Sequence, residues 1–152
     1  MLKDYEIVIA DTSCFILLNK IGELELLQKL FGTVITTDII ASEFGDELPS
    51  WVIIKSAENR VLQNSLDVDP GEASTITLSL ETPSSLLIID DNKGRKLARK
   101  FDLKITGTLG VLLKAKQNVV IPFLAPVLEK VQHTNFRFSS EVLTQILLMA
   151  EE

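Results

Sequence analysis

Short apolar runs that alternate with helical patterns are the feature that most constrains how this chain folds. Residues 6–10 (EIVIA) and 85–90 (SLLIID) are apolar over most of their length, which is typical of strands buried on both faces of a parallel sheet. Weaker strand patterns lie at residues 33–36, 51–55 and 104–106. The alternation predicts an α/β fold of three layers, in which helices flank a central parallel sheet with right-handed crossovers.

Local signals mark the ends of several helices. Asp69 stands three residues before Glu72, which is the spacing of a capping box at a helix start. Thr12 or Ser13 is predicted to cap the helix after the first strand. A second helical pattern, over residues 23–31, follows that helix closely.

Length and composition exclude several classes of protein. The chain has 152 residues, 46% hydrophobic and 24% charged, which predicts one globular domain and excludes a disordered chain. A single cysteine, Cys14, excludes an internal disulfide and is expected to be a buried, inert thiol. No apolar run is long enough to span a membrane. Asp4, Glu6 and Asp11 interrupt the first apolar stretch, so we expect no export signal and a cytoplasmic protein.

Acidic residues follow the strands of the predicted sheet. Asp11 comes directly after the first strand, and Asp90 and Asp91 come after the strand SLLII. Because parallel strands end at one edge of a sheet, where ligands bind in such folds, we expect these side chains to lie together. Glu43 lies seven residues after the second strand, and Glu72 lies in the first turn of a later helix.

Each of these acids has a structural explanation when it is taken alone. Asp11, Asp90, Asp91 and Glu72 could cap helices, and Glu43 could be an exposed helix residue. As a group, however, they would repel each other, and burying them unpaired is costly. Mg²⁺ or Mn²⁺ resolves that cost because it prefers oxygen ligands, and it can activate water for phosphodiester hydrolysis.

Four segments of the chain resemble the motifs of PIN-domain nucleases, and within them the small prokaryotic PIN-like branch related to VapC toxins. The segments are IVIADTSCFI, IIASEF, DPGEASTITLSLE and LLIIDDNKGRKLARKFDLKITGTLGVLLKAK. They extend over roughly residues 6–117. The resemblance implies a PIN-like nuclease core over residues 1–118. Residues 119–152 would then be a helical extension that packs on the same domain or on a partner.

The resemblance also implies an activity and partners. The chain would be a metal-dependent single-strand endoribonuclease, the toxin of a type II toxin–antitoxin system, with Mg²⁺ or Mn²⁺ as cofactor. An antitoxin protein and a second copy in a homodimer would be its partners. Ser13 would be the polar companion of Asp11, and either Asp90 or Asp91 would be the fourth acid. The implied catalytic residues are Asp11, Glu43, Glu72 and Asp91; the implied metal ligands are Asp11, Glu43, Glu72, Asp90 and Asp91.

Basic residues gather beside the last acids, although the whole chain carries a net charge of -6. Residues 93–104 hold six basic side chains against Asp102, which is where RNA phosphates would run. The alternative is an ordinary solvated helix face. The candidate RNA-binding residues are Lys93, Arg95, Lys96, Arg99 and Lys100.

Two other functions remain to be compared with the nuclease. A catalytically inactive PIN-like module that binds RNA or a protein would keep the basic helix without assembling the acids. A phosphatase with an Asp nucleophile after the first strand is disfavoured, because such enzymes generally need a second Asp where this chain has Ser13.

Overall fold

A computed structural model describes residues 7–152 as one parallel sheet between helical layers. The predicted α/β class, with a central parallel sheet flanked by helices, is confirmed. The strands are β1 (Ile7–Ala10), β2 (Thr33–Thr37), β3 (Val52–Lys55), β4 (Ser85–Ile88) and β5 (Ile105–Thr106). The helices are α1 (Thr12–Lys20), α2 (Leu26–Leu30), α3 (Asp38–Phe44), α4 (Arg60–Ser65), α5 (Pro70–Leu80), α6 (Asn92–Lys100), α7 (Thr108–Gln117), α8 (Ala125–Gln132) and α9 (Ser140–Met149).

The strand order β3-β2-β1-β4-β5 places β1 at the centre of the sheet. In its two parallel ladders, Val8 pairs with Val34 of β2 and with Leu86 of β4. Ala10 pairs with Ile88, and the N–H of Asp11 donates to the Ile88 carbonyl at 3.1 Å. The acids that follow β1 and β4 therefore leave the sheet at the same edge. Glu6, the first residue of the predicted first strand, and Asp4 lie outside the described residues.

Successive residues of β1 face two different apolar cores in turn. Val8 and Ala10 face the first core, which includes residues of α1, α2, α7 and α8. Ile9 faces the second core, to which α5 and α6 contribute. Cys14 is fully buried in the first core, and burial raises the pKa of its thiol, as expected of an inert cysteine.

Two predicted helix starts need correction. The first helix begins at Thr12, so Asp11 rather than Thr12 or Ser13 occupies the N-cap position, and its side chain makes no capping bond. The second helix covers only Leu26–Leu30; Glu23 lies outside it and pairs with Lys130 at 3.2 Å. The cap predicted at Asp69 is present, since its carboxylate accepts from the Glu72 N–H at 2.9 Å.

Residues 119–152 continue the first core. Val127, Leu128 and Val131 of α8 are buried in it, and Leu143, Ile146 and Leu147 of α9 pack partly against it. The Glu152 carboxylate accepts from the N–H groups of Leu124 and Ala125 at the start of α8 and pairs with Lys116 at 2.8 Å. Within residues 7–152, none of the helices combines the length and apolar character that a membrane crossing demands.

Candidate active site

An acidic cleft of about 440 Å³ opens at the carboxyl edge of the sheet. All five acids that the sequence predicts line it, although they come from four segments of the chain. Four further polar or aromatic residues line it as well. The lining residues are Asp11, Thr12, Ser13, Ile16, Glu43, Asp69, Glu72, Asp90, Asp91 and Phe136.

The Asp90 carboxylate is the most firmly held acid of the cleft. It accepts from the Thr108 N–H at 2.8 Å and from the Thr108 hydroxyl at 2.6 Å. The Ser13 hydroxyl donates to it at 3.0 Å. These three donors hold its negative charge and join the end of β4 to the starts of α1 and α7. Asp90 is thus an organiser of the cleft, with little bonding capacity left for another ligand.

Glu43 is exposed and reaches the cleft from the end of α3. The Thr12 hydroxyl donates to its Oε1 at 2.7 Å. A Cβ built on Gly71 would lie 2.5 Å from the same oxygen. Glycine at this position therefore allows the carboxylate to approach the first turn of α5, where the free N–H groups favour negative charge.

Glu72 is buried in the first turn of α5, and its carboxyl group lies against Gly94 of α6. A Cβ built on Gly94 would lie 3.1 Å from its Cδ, so this glycine also makes room for a carboxylate. Asp91 is exposed and accepts from the Gly94 N–H at 3.2 Å as the cap of α6. Burial raises the pKa of Glu72 to about 8, with help from Asp69, from Asp91, which also shares a hydrogen bond with it, and from Asp11.

Asp11 is buried beside the centre of the sheet and is only 7% exposed. Burial, which has the largest effect, and the nearby carboxylates of Asp69, Glu43 and Asp90 together raise the pKa of Asp11 to about 7, although the Thr12 N–H acts in the opposite direction. Ionising a buried carboxyl group among other carboxylates costs free energy, because the charge is desolvated and the neighbouring charges repel it. Such a cleft favours either protons or a cation.

The donor chemistry of the cleft fits a hard divalent cation, because every strong ligand in it is a carboxylate. Within residues 7–152, however, no three His, Cys, Asp or Glu side chains stand close enough together to hold a metal ion as they are. Asp69, Asp91 and Glu43 are exposed, so rotation of these side chains towards Asp11 and Glu72 is what a metal site would require.

The predicted basic residues have different surroundings. Lys93 pairs with Asp67 at 3.5 Å, and both side chains are largely exposed. Arg95 is half-buried and donates to the Ile89 carbonyl at 2.9 Å, so it also holds the end of β4. Lys96, Arg99 and Lys100 are exposed along α6. A rise of about 1.5 Å per residue places Lys100 about 12 Å along the helix from its start beside Asp91.

Several residues of the site were not singled out from the sequence. Asp69 was assigned only a capping role, although its place three residues before Glu72 already brought it near the cleft. Thr108 opens the helix after β5, and its role depends on β5 lying beside β4. Phe136 follows α8 by four residues and enters the cleft through tertiary packing, for which no local pattern exists.

The comparisons with known proteins agree with this architecture. A family model described as a PIN domain matches residues 7–152. No curated protein and no solved structure matches the chain. The family match extends beyond the resemblance seen in the sequence, because it includes α8 and α9. With its parallel sheet and acid-lined carboxyl edge, this chain belongs to the PIN-domain family.

Proposed function

We propose that the protein is a metal-dependent endoribonuclease that hydrolyses phosphodiester bonds of single-stranded RNA. The observation that carries the proposal is the convergence of Asp11, Glu43, Glu72 and Asp91 on one cleft at the carboxyl edge of the sheet. PIN domains generally have a nuclease-type fold and use divalent metals, and the donor set of this cleft agrees with that chemistry.

The residues that would hold the cation are Asp11, Glu72 and Asp91, and Glu43 and Asp69 line the same cleft. Asp90 was also a predicted ligand, but its three hydrogen bonds favour an organising role over direct coordination. Bound Mg²⁺ or Mn²⁺ would supply an activated water and would stabilise the leaving oxygen of the phosphodiester.

The chain's own residues have distinct tasks in this proposal. Asp11 and Glu72 are costly to ionise at their buried positions, which is the reason that a cation is favoured there. Ser13 and Thr108 fix Asp90, and Thr12 orients Glu43. The exposed side chains of α6 would hold the RNA backbone beside the carboxylates.

The experiment is a cleavage assay on a fluorescent single-stranded RNA of mixed sequence, with and without Mg²⁺ or Mn²⁺. We expect cleavage that needs the metal and that EDTA stops, with a duplex of the same sequence cut far more slowly. Cleavage that is unchanged by EDTA would contradict the proposed mechanism.

The runner-up is a catalytically inactive PIN-like module that binds RNA or a protein. The observation that favours it is that, among the described residues, no preformed group of three ligands exists. Calorimetric titration with MnCl₂ distinguishes the two. A nuclease binds the ion in the wild type and loses binding in Asp11→Asn, whereas the inactive module shows no binding in either.

The proposal extends to a biological role as the toxin of a type II toxin–antitoxin pair in the cytoplasm, with an antitoxin and a second copy as partners. The sequence resemblance to VapC-related proteins supports it. The exposed apolar residues Val142, Leu148 and Met149 of α9 offer a surface for such a contact. Sedimentation of the purified chain tests the dimer, and growth arrest on expression tests the toxin.

A further inference from the structure

Phe136 is the one aromatic residue among those that line the acidic cleft, and nothing in the metal chemistry needs it. It is half-buried, with part of the ring packed against the first core and part on the cleft. A benzene ring neither binds cations such as Mg²⁺ in water nor moves protons. Its place in the lining of the same cleft as Asp11 and Glu43 therefore calls for another explanation.

The backbone around Phe136 is held in a defined turn. The Phe136 N–H donates to the Thr134 hydroxyl at 3.1 Å, and that hydroxyl donates to the Val131 carbonyl at 2.7 Å. The Arg137 guanidinium donates to the carbonyls of Thr134 and Phe136. The ring is thus presented by an ordered segment, which lowers the entropic cost of binding a ligand against it.

A cation accompanies the ring. The Lys20 ammonium lies 5.6 Å from the centroid of the Phe136 ring and donates to the Asn135 side chain at 2.5 Å. An aromatic ring with an adjacent ammonium is the pair that single-strand-binding surfaces use, because the ring stacks a base and the cation attracts a phosphate.

The position of this pair complements the basic helix. Residues of α1 face the first core and residues of α6 face the second, so the two helices lie on opposite faces of the sheet. Lys20 ends α1, and Phe136 packs on the same side. A nucleic-acid strand held by α6 on one face and by Phe136 and Lys20 on the other would cross the carboxylates at the edge between them.

We propose that Phe136 is a base-stacking site of the acidic cleft, with Lys20 beside its ring but outside the lining of the cleft, and that it seats one unpaired base of single-stranded RNA beside the scissile phosphate. The inference rests on the proposed nuclease function and gives that function a structural reason for preferring single strands. A paired base lies inside a duplex stack and cannot lie flat on the ring, whereas an unpaired base can.

The competing explanation is that Phe136 only fills the first core. Phe138 provides the matched control, because it is also half-buried and packs against the same core but does not line the cleft. Phe136→Leu and Phe138→Leu therefore remove similar apolar contacts, and only the first removes a ring from the cleft. Phe136→Tyr keeps the ring.

The test compares the steady-state cleavage of a mixed-sequence 12-nucleotide RNA by these variants. For Phe136→Leu we expect KM to rise about tenfold, in the range found for loss of one stacked base, with kcat within about twofold. Phe138→Leu and Phe136→Tyr should both stay within about twofold of the wild type in KM. Equal KM values for the two leucine variants would overturn the inference.

A second measurement separates stacking from a general structural effect and from failure of the proposed function. Binding of the same RNA, and of a version in which every base is replaced by an abasic ribose, is titrated against Asp11→Asn with and without Phe136→Leu. We expect the leucine variant to lose about tenfold in affinity for the normal RNA and none for the abasic RNA. Equal losses for both RNAs would overturn stacking. If the wild type binds in this base-dependent way but never cleaves, the nuclease proposal fails while the stacking site stands.

Discussion

At the scale of single residues, the site depends on how its carboxylates are held rather than on how many there are. Asp90 has three donors, Glu43 has one, and Asp11 is buried among other acids. These surroundings separate the roles of the acids, because hydrogen bonds stabilise a carboxylate whereas burial and like charges destabilise it. The acids that are costly to ionise are the ones that gain most from a cation.

Asp11 makes the stability of the metal-free protein depend on pH. Its pKa is about 7 in the folded chain against an ordinary 3.8, so between these pH values the folded state keeps a proton that the unfolded chain has lost. The free energy of unfolding therefore falls as pH rises from about 4 to about 7. Asp11→Asn should remove this part of the dependence and be more stable than the wild type at pH 8, by on the order of 1–3 kcal/mol.

Urea unfolding in EDTA at pH 4.5 and pH 8 measures this difference. Glu72 still contributes a slope of the same sign in the variant, because its pKa is also raised. A stability loss as steep in Asp11→Asn as in the wild type would show that Asp11 is not costly to ionise.

Gly71 matters because of the space that it leaves for Glu43. A Cβ at this position would lie 2.5 Å from the Glu43 carboxylate. The Glu43 side chain is exposed and can move aside, so Gly71→Ala should change Tm little. Displacement of the Glu43 carboxylate should lower kcat/KM for RNA cleavage roughly ten- to a hundredfold, because a catalytic group would then be misplaced. Unchanged cleavage by a folded Gly71→Ala variant would remove Glu43 from the catalytic set.

At the scale of elements, the sequence predicted helices and strands well where the signal lies within a few consecutive residues. The Asp69 cap and the apolar strand at residues 85–90 depend on neighbours in sequence, and both are present as α5 and β4. The start of α1 was misplaced by one or two residues, because the hydroxyls of Thr12 and Ser13 bond to distant acids instead of capping. Those bonds join residues 31 and 77 positions apart.

The candidate site, like the helices and strands, has one part that the sequence predicts and another that it does not. The edge on which the acids meet was predictable because parallel strands end at one edge of a sheet. The clamp of Thr108 on Asp90 and the approach of Phe136 were not, because each depends on how α7 or the segment after α8 packs on the sheet. Tertiary contacts of this kind have no period or motif by which a single sequence reveals them.

The element whose function is most open to test is α6. Its exposed Lys96 and Arg99 should contact RNA phosphates, so Lys96→Glu with Arg99→Glu should weaken binding of single-stranded RNA and reduce the slope of log affinity against log salt by about 1.4. The matched control is Lys29→Glu with Lys55→Glu, which changes the net charge equally at exposed positions outside α6.

Binding titrations of both double variants from 50 to 300 mM salt decide the question. The control should stay closer to the wild-type slope, because its charges lie on α2 and β3 rather than on α6. Equal slopes in the two variants would mean that α6 is a solvated helix face.

At the scale of the whole molecule, Glu152 joins the segment after α9 to the start of α8. This carboxylate accepts from two N–H groups at the start of α8 and pairs with Lys116 of α7. The Lys116 hydrogen bond and those from Leu124 and Ala125 lower the pKa of Glu152 to about 2. The contact couples α7, α8 and α9, and it explains how residues 119–152 are held on the first core.

Glu152→Gln should lower the Tm at neutral pH, because it removes the charge from this contact. The folded pKa lies below the ordinary value, so the stabilisation is present above about pH 4.5 and is lost as pH falls towards 2. The difference in Tm between variant and wild type should therefore shrink on acidification. Glu151→Gln is the matched control, since Glu151 is exposed next to it. Equal Tm values for the two variants at pH 7 would contradict the coupling.

Two Asp→Asn variants, one inside the cleft and one outside it, test whether the acidic cleft cleaves RNA with the help of a metal ion. Asp102 lies outside the cleft, is exposed, and has a φ of 62°, which asparagine also tolerates. The measurement is the rate of single-stranded RNA cleavage in Mn²⁺ by the wild type, Asp11→Asn and Asp102→Asn. We expect a loss of at least about a hundredfold for Asp11→Asn and a wild-type rate for Asp102→Asn; RNA cleavage by Asp11→Asn at the wild-type rate would contradict the nuclease proposal.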